Sequence, residues 1–190
     1  MKKLTWLVLP ALMLAASQAH ADAKSDVIAA YEKAYAKGRY TATMTGESRG
    51  KAQRTTVRVQ FPGSFHIITD ASEIIVLPGG TYMKAGAQWM QVPVDMSKMV
   101  ENVSMNAYKE GANAVQDVRE IGSRNVGGCN ATLYAYRVDG KTMGLRNEAD
   151  VELAVCNSSG LPVQVVSADK KNRSSVDFDF ETSFEIKRPM

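Results

Sequence analysis

The sequence is poor in the residues that most catalysis requires. Its 190 residues include two cysteines, two histidines and two tryptophans. Beyond residue 21 no apolar run approaches the roughly 20 residues of a membrane-spanning helix, so no integral membrane segment is expected there. His20 lies in the leader described below, which leaves His66 alone in the remaining chain. Paired-histidine metal sites and histidine-based triads are therefore severely constrained. No serine stands in a Gly-x-Ser-x-Gly elbow, and no glycine-rich loop carries a phosphate-binding lysine. Asp177, Asp179 and Glu181 alternate with Val176, Phe178 and Phe180, the pattern of a strand with one wet face. Glu148, Asp150 and Glu152 read the same way. An enzyme is not expected, nor a metal, nor a cofactor.

A one-sided charge is also missing. Lys2 and Lys3, the apolar run Trp6 to Ala16 and the small-x-small triplet Ala19-His20-Ala21 form a secretory signal over residues 1–21. Cleavage near Ala21/Asp22 reduces 23 basic residues to 21, against 20 acidic. A nucleic-acid binder usually shows a basic footprint. The densest cluster here, Lys170-Lys171-Arg173, sits among turn residues between two strand-like runs and reads as a solvated hairpin tip. Nucleic acid is not an expected partner. No cysteine stands at the cleavage site, so no bacterial-type N-terminal lipid anchor is expected. Residues 22–190 form one domain in this reading, exported to an oxidising compartment.

The elements are legible in the periodicity. Val27, Ala30, Tyr31, Ala34 and Tyr35 recur at helical spacing behind Ser25, a residue suited to capping, and Gly38 closes the run. Period-two alternation follows in Thr55 to Phe61, and Phe65 to Thr69, Glu73 to Leu77, Thr81 to Lys84 and Gln88 to Val92 read as further short strands, with turns too short for parallel crossovers. Met96, Met99, Val100, Val103 and Ala107 then form one apolar stripe of an inserted helix ending near Gly111, with a less defined stretch to Asp117. Strand periodicity returns in Val118–Val126, Cys129–Val138, Glu148–Cys156, Val163–Lys170 and Ser174–Phe184. The fold class is α+β, one antiparallel sheet with an N-terminal and an inserted helix.

Two features add detail. Setting Cys129 opposite Cys156 pairs Tyr134 with Val151, Thr132 with Leu153 and Tyr136 with Ala149, and makes both faces chemically consistent. A disulfide there closes a loop of roughly 28 residues, worth about 3–4 kcal/mol in the chain-entropy account; two reduced thiols in a core are the alternative. Met83, Met90, Met96, Met99 and Met105 crowd one stretch with Tyr82 and Trp89. They fit either a methionine-rich core or a lid over a cavity, since methionine adapts to irregular apolar partners.

The order of elements resembles the LolA-like superfamily of bacterial cell-envelope proteins. Val57-Arg58-Val59-Gln60-Phe61-Pro62-Gly63-Ser64-Phe65 is similar to that family's strand, proline and aromatic. Glu73–Leu77, Gly80-Thr81-Tyr82-Met83-Lys84, Gln88-Trp89-Met90-Gln91-Val92-Pro93 and Gly160-Leu161-Pro162-Val163 resemble its hairpins and late turn. The resemblance implies a half-open β-barrel with helices over its concave face, binding acyl chains of lipids or lipoproteins in the periplasm. Dedicated lipoprotein carriers have an arginine just before the proline. Phe61 stands there here, and Arg58 has the wrong parity to replace it.

The expected role is a non-enzymatic periplasmic carrier for an apolar ligand. The alternative is a regulatory or assembly protein acting on envelope partner proteins through the outer sheet face. The expected wall is Val57, Val59, Phe61, Phe65, Ile67, Ile75, Leu77, Tyr82, Trp89, Tyr134, Tyr136, Val151 and Leu153, beneath Met96, Met99, Val100 and Val103. Intact-mass measurement of the exported protein should give a chain starting at Asp22, with thiol labelling finding neither Cys129 nor Cys156 free.

Overall fold

Gly38, at φ 70°, turns the first helix into the first strand, a backbone conformation that glycine adopts without steric cost. Its carbonyl accepts from Phe61 N at 2.8 Å, tying this turn to the end of the second strand. The computed structural model describes residues 16–48, 51–94, 96, 114–142, 145–168 and 173–189.

Helix α1 (Ala16–Ala36) is followed by β1 (Arg39–Ser48), β2 (Lys51–Gln60), β3 (Ser64–Thr69), β4 (Glu73–Leu77), β5 (Gly80–Ala85) and β6 (Gln88–Val92). The second half contributes β7 (Val115–Val126), β8 (Cys129–Thr142), β9 (Leu145–Cys156), β10 (Pro162–Ala168) and β11 (Arg173–Asp179). All join one antiparallel sheet in the order β6-β5-β4-β3-β2-β1-β11-β10-β9-β8-β7. The two ends of this row do not pair, so the sheet is half-open. Residues 93–114 link β6 to β7, and hence one edge of the sheet to the other.

Several expectations need correction. Ser25 does not cap α1; the helix begins at Ala16 and Ser25 lies inside it. Strand β1 was not expected as a separate element. Its inward residues Tyr40, Ala42 and Met44 alternate with threonines, and an Ala–Thr alternation is a faint signal. Strand β7 takes in Val115 to Asp117, so the sheet resumes three residues before the expected Val118. Asp117, at φ 53°, sits where the β7–β8 register shifts, and aspartate tolerates that conformation. Strand β11 stops at Asp179 instead of Phe184, because Asp179 Oδ1 accepts from Glu181 N at 2.8 Å and Thr182 N at 3.1 Å. Such an Asx turn bends the chain away from the sheet. Met99, Val100 and Val103 lie outside the described residues.

The cysteine hairpin is two residues out of the expected register. Tyr134 pairs with Leu153, Tyr136 with Val151, and Ala131 with Cys156. Thr142 then opposes Leu145. An even slip keeps every side chain on its face. Cys129 and Cys156 are accordingly still neighbours, now diagonal, and form a disulfide with Cα atoms 5.7 Å apart.

The main core lies between α1 and β7 to β10. Ala23, Val27 and Ala30 meet Val115, Val118, Tyr134, Tyr136, Val151, Leu153 and Val155. Leu153 is 0% exposed at the centre. Truncating it, Leu153→Ala, should cost about 2–5 kcal/mol. Urea unfolding should show a lowered midpoint with an unchanged slope.

Candidate functional site

Register decides which side chains share the concave face. Met90 pairs with Met83, Met83 with Ile74, Ile74 with Ile67, Ile67 with Val57, Val57 with Ala42, and Ala42 with Phe178. This is one apolar row across seven neighbouring strands. At about 4.8 Å per strand it spans roughly 29 Å. A second row beside it runs through Val92, Thr81, Val76, Phe65, Val59 and Tyr40. No charged residue occurs in either row. Most of the first row is only half-buried, and Met90 is 49% exposed.

Aromatic rings close one end of this surface. Tyr40 lies 5.9 Å from Phe178, 5.5 Å from Phe180 and 6.5 Å from Phe61, centroid to centroid. Phe61 also meets Phe65 at 6.4 Å and Tyr35 of α1 at 4.7 Å. Burial raises the Tyr40 phenol above its ordinary value, keeping it neutral. Met96 packs over Val59, Phe65 and Val76, with its N–H donating to Thr81 Oγ1 at 3.1 Å. The chain leaving β6 thus turns inward over the concave face.

Helix α1 covers the other end, held by polar contacts as well as by its stripe. Lys24 Nζ donates to Val115 O at 2.9 Å, and Tyr134 Oη donates to Asp26 Oδ2 at 3.0 Å. The hydroxyls of Tyr31 and Tyr136 are 2.8 Å apart. Burial, and then the Asp26 carboxylate, push Tyr134 up to about 12. Burial also raises Tyr136, with Tyr31 beside it adding to the shift.

The structure divides the expected wall between the two faces. Val57, Val59, Phe61, Phe65, Ile67 and Met96 line the open part of the concave side. Tyr134, Tyr136, Val151 and Leu153 share that side but are covered by α1. Ile75, Leu77, Tyr82 and Trp89 face the opposite way. Ile67 pairs with Ile74 and His66 with Ile75, so odd-numbered residues of β3 share a face with even-numbered residues of β4. The four convex residues pack instead with Phe184 and Ile186 of the C-terminal segment. Tyr40, Ile74, Val76, Met83, Met90 and Phe178 take their places on the concave side. The alternation of Phe178 with Asp177 and Asp179 was the available signal for one of them.

The convex face carries the charge. His66 Nε2 is 2.9 Å from Glu73 Oε1, and Lys84 Nζ donates to Glu73 Oε2 at 2.8 Å. Lys84 and then His66 outweigh desolvation and hold the Glu73 carboxyl below its ordinary value. Farther along, Arg124 pairs with Glu152 at 2.8 Å and donates to Gln164, which donates to Asp177 at 2.7 Å. Among the described residues, no three His, Cys, Asp or Glu side chains are grouped as metal ligands.

No protein-family model matches the chain, and no curated protein matches it either. Solved structures do. The Mycobacterium tuberculosis lipoprotein LppX superposes with a TM-score of 0.63 at 7% identity, over 88% of this chain and 99% of LppX. LprF from Mycobacterium bovis gives 0.56 at 11% identity, over 89% and 97%. MucB gives 0.51 at 13% identity, over 92% of this chain but 64% of MucB, so the chain spans under two thirds of that protein. At these identities the likeness concerns the fold. The fold is LolA-like.

Within this LolA-like sheet, Phe61 occupies the concave side where the resemblance set an arginine. Arg58 lies on the convex side, its guanidinium 6.0 Å from the Phe184 ring. The open concave surface therefore has no cationic group among its described residues. The seat of α1 should show in the pH dependence of stability. The unfolded phenol titrates near 10 and folded Tyr134 near 12. Its contribution is complete below pH 10 and disappears as pH rises through 12. Urea unfolding from pH 8 to 12 should show that fall, and Tyr134→Phe should make it shallower.

Proposed function

We propose that this protein is a non-enzymatic carrier of the bacterial periplasm that holds an acyl chain, from a lipid or a lipoprotein, against its concave face. The observation behind this reading is the seven-strand apolar row from Met90 to Phe178, half-buried and free of charge. The secretory leader and the Cys129–Cys156 bridge support an oxidising compartment outside the cytoplasm. The likeness to the lipoprotein LppX and to LprF supports the half-open sheet on which this reading rests.

The magnitudes suit reversible holding. Each buried methylene contributes about 0.8 kcal/mol, so roughly ten offer about 8 kcal/mol before association and ordering costs. A release step needs a net affinity well below that gross figure. Without cations in the rows, the face selects by chain length and shape more than by headgroup.

Trp89 lies on the convex side, so an environment-sensitive fluorescent fatty acid is the better reporter. Val57→Asp or Ile67→Asp places a carboxylate in the row and should weaken probe binding by more than about tenfold. Thr56→Asp, which faces the other way, should leave binding unchanged. Far-UV circular dichroism checks that each variant folds. Equal affinity in all three would remove the concave face as the site.

A further inference from the structure

The two concave rows hold two side chains that carry an oxygen, Thr81 and Tyr40. Thr81 is 2% exposed, and its Oγ1 already accepts from Met96 N at 3.1 Å. Tyr40 differs. Its ring is packed among Phe61, Phe178 and Phe180, yet its hydroxyl has no hydrogen-bond partner among the described residues. Among those residues no side-chain nitrogen or oxygen is both fully buried and unpartnered. The Tyr40 Oη therefore still reaches solvent, at the tip of a half-buried side chain.

A tyrosine hydroxyl taken into apolar surroundings normally finds a partner. The other tyrosines of this side do so at the seat of α1, where Tyr134 donates to Asp26 and the Tyr31 and Tyr136 hydroxyls meet. A hydrocarbon laid over Tyr40 would strip water from its hydroxyl and return nothing. A ligand in these rows is thus favoured when it brings an acceptor to that point.

The surroundings select the kind of acceptor. Burial keeps the phenol neutral, and neither row contains a cation. A carboxylate or phosphate drawn in here would lose hydration without gaining a counter-charge. A neutral carbonyl carries no such cost and accepts from a phenol. Position adds a second constraint. Tyr40 ends its row on β1, five strand spacings from Val92 on β6, about 24 Å. A carbonyl at Tyr40 leaves the whole row for the chain attached to it, and an acyl ester has that layout.

We propose that the Tyr40 hydroxyl donates a hydrogen bond to the ester carbonyl of the bound acyl chain, which runs from the aromatic end of the concave face toward β6. This rests on the reading of that face as the acyl site, and makes Tyr40 the residue that distinguishes acyl esters from ethers and plain hydrocarbons.

The test displaces the fluorescent fatty acid with palmitoyl lysophosphatidylcholine and with its hexadecyl ether analogue, which lacks only the carbonyl. The unaltered chain should bind the ester roughly five- to tenfold more tightly, the scale of one neutral hydrogen bond together with the penalty for covering its donor unpaired. Tyr40→Phe, which keeps the ring, should bring the two affinities within about twofold by weakening the ester alone. In the unaltered chain, the infrared stretch of an isotope-labelled ester carbonyl should move to lower wavenumber on binding, and less so in Tyr40→Phe. A diacylglyceryl-cysteine peptide run beside the lysolipids separates the sources of the carbonyl; tighter binding of the peptide assigns it to lipoproteins and weaker binding to free lipids, and loss of affinity in Tyr40→Phe supports the contact in either case. Equal binding of ester and ether by the unaltered chain overturns the assignment while leaving the acyl site standing. So does an equal loss of both in Tyr40→Phe, which would make Tyr40 a packing residue only. Failure of every one of these ligands to displace the probe would instead remove the acyl site, and the Tyr40 contact with it.

Discussion

Side chains on neighbouring strands share a face only while their registers stay in step, and here the seven neighbouring strands from β6 through β1 to β11 keep step without a shift. Because the side-chain period is two, an odd slip in any hairpin would send every later residue to the other side. The apolar rows exist because no such slip occurs from β6 to β11. The same constraint produces the convex face, where His66, Glu73, Lys84, Arg124, Glu152 and Asp177 gather without a charge entering the rows. Both faces are consequences of one periodicity.

Each half of the sheet has its own apolar cover, and the two covers lie on opposite faces. Helix α1 seals the concave side of β7 to β10 with Val27 at 0% exposure and three polar contacts to the strands. Over the other half, the C-terminal segment covers the convex side through Phe184 and Ile186. Among the described residues, the concave side of that half is covered only in part, with Met96 packed over Val59, Phe65 and Val76. A sheet buried equally on both faces would be core throughout. Uneven covering by the described segments leaves most of the Met90-to-Phe178 row half-buried.

The hairpins were legible where turn residues stood between short strand-like runs. Glu73–Leu77 and Gln88–Val92 have the bounds read from the sequence. Strand β1 was harder to see, because threonine and alanine make a weak alternation. The Cys129–Cys156 bridge survived a register error of two because pairs on the same face remain neighbours along the diagonal. The wall residues did not transfer as well. Ile74, Ile75, Val76 and Leu77 are all apolar, so β4 itself does not mark which of its sides faces inward. Which set of β4 residues faces inward depends on how many residues the Asp70-Ala71-Ser72 turn leaves unpaired, and periodicity within a strand does not contain that count.

By itself, the sequence determined what is local: the helical stripe of α1, the short strand-like runs and the turn residues between them. Those properties depend on neighbours one to four positions apart. The tertiary structure decided the faces and the covers. It set Val57 and Ile67 on the side of Tyr40 and Phe178, turned Ile75, Tyr82 and Trp89 away from them, and brought Ile186 back onto β4 and β5. Parity across a hairpin depends on the turn, and the covering of a face depends on segments distant in the chain. Neither is a property of any short stretch of residues.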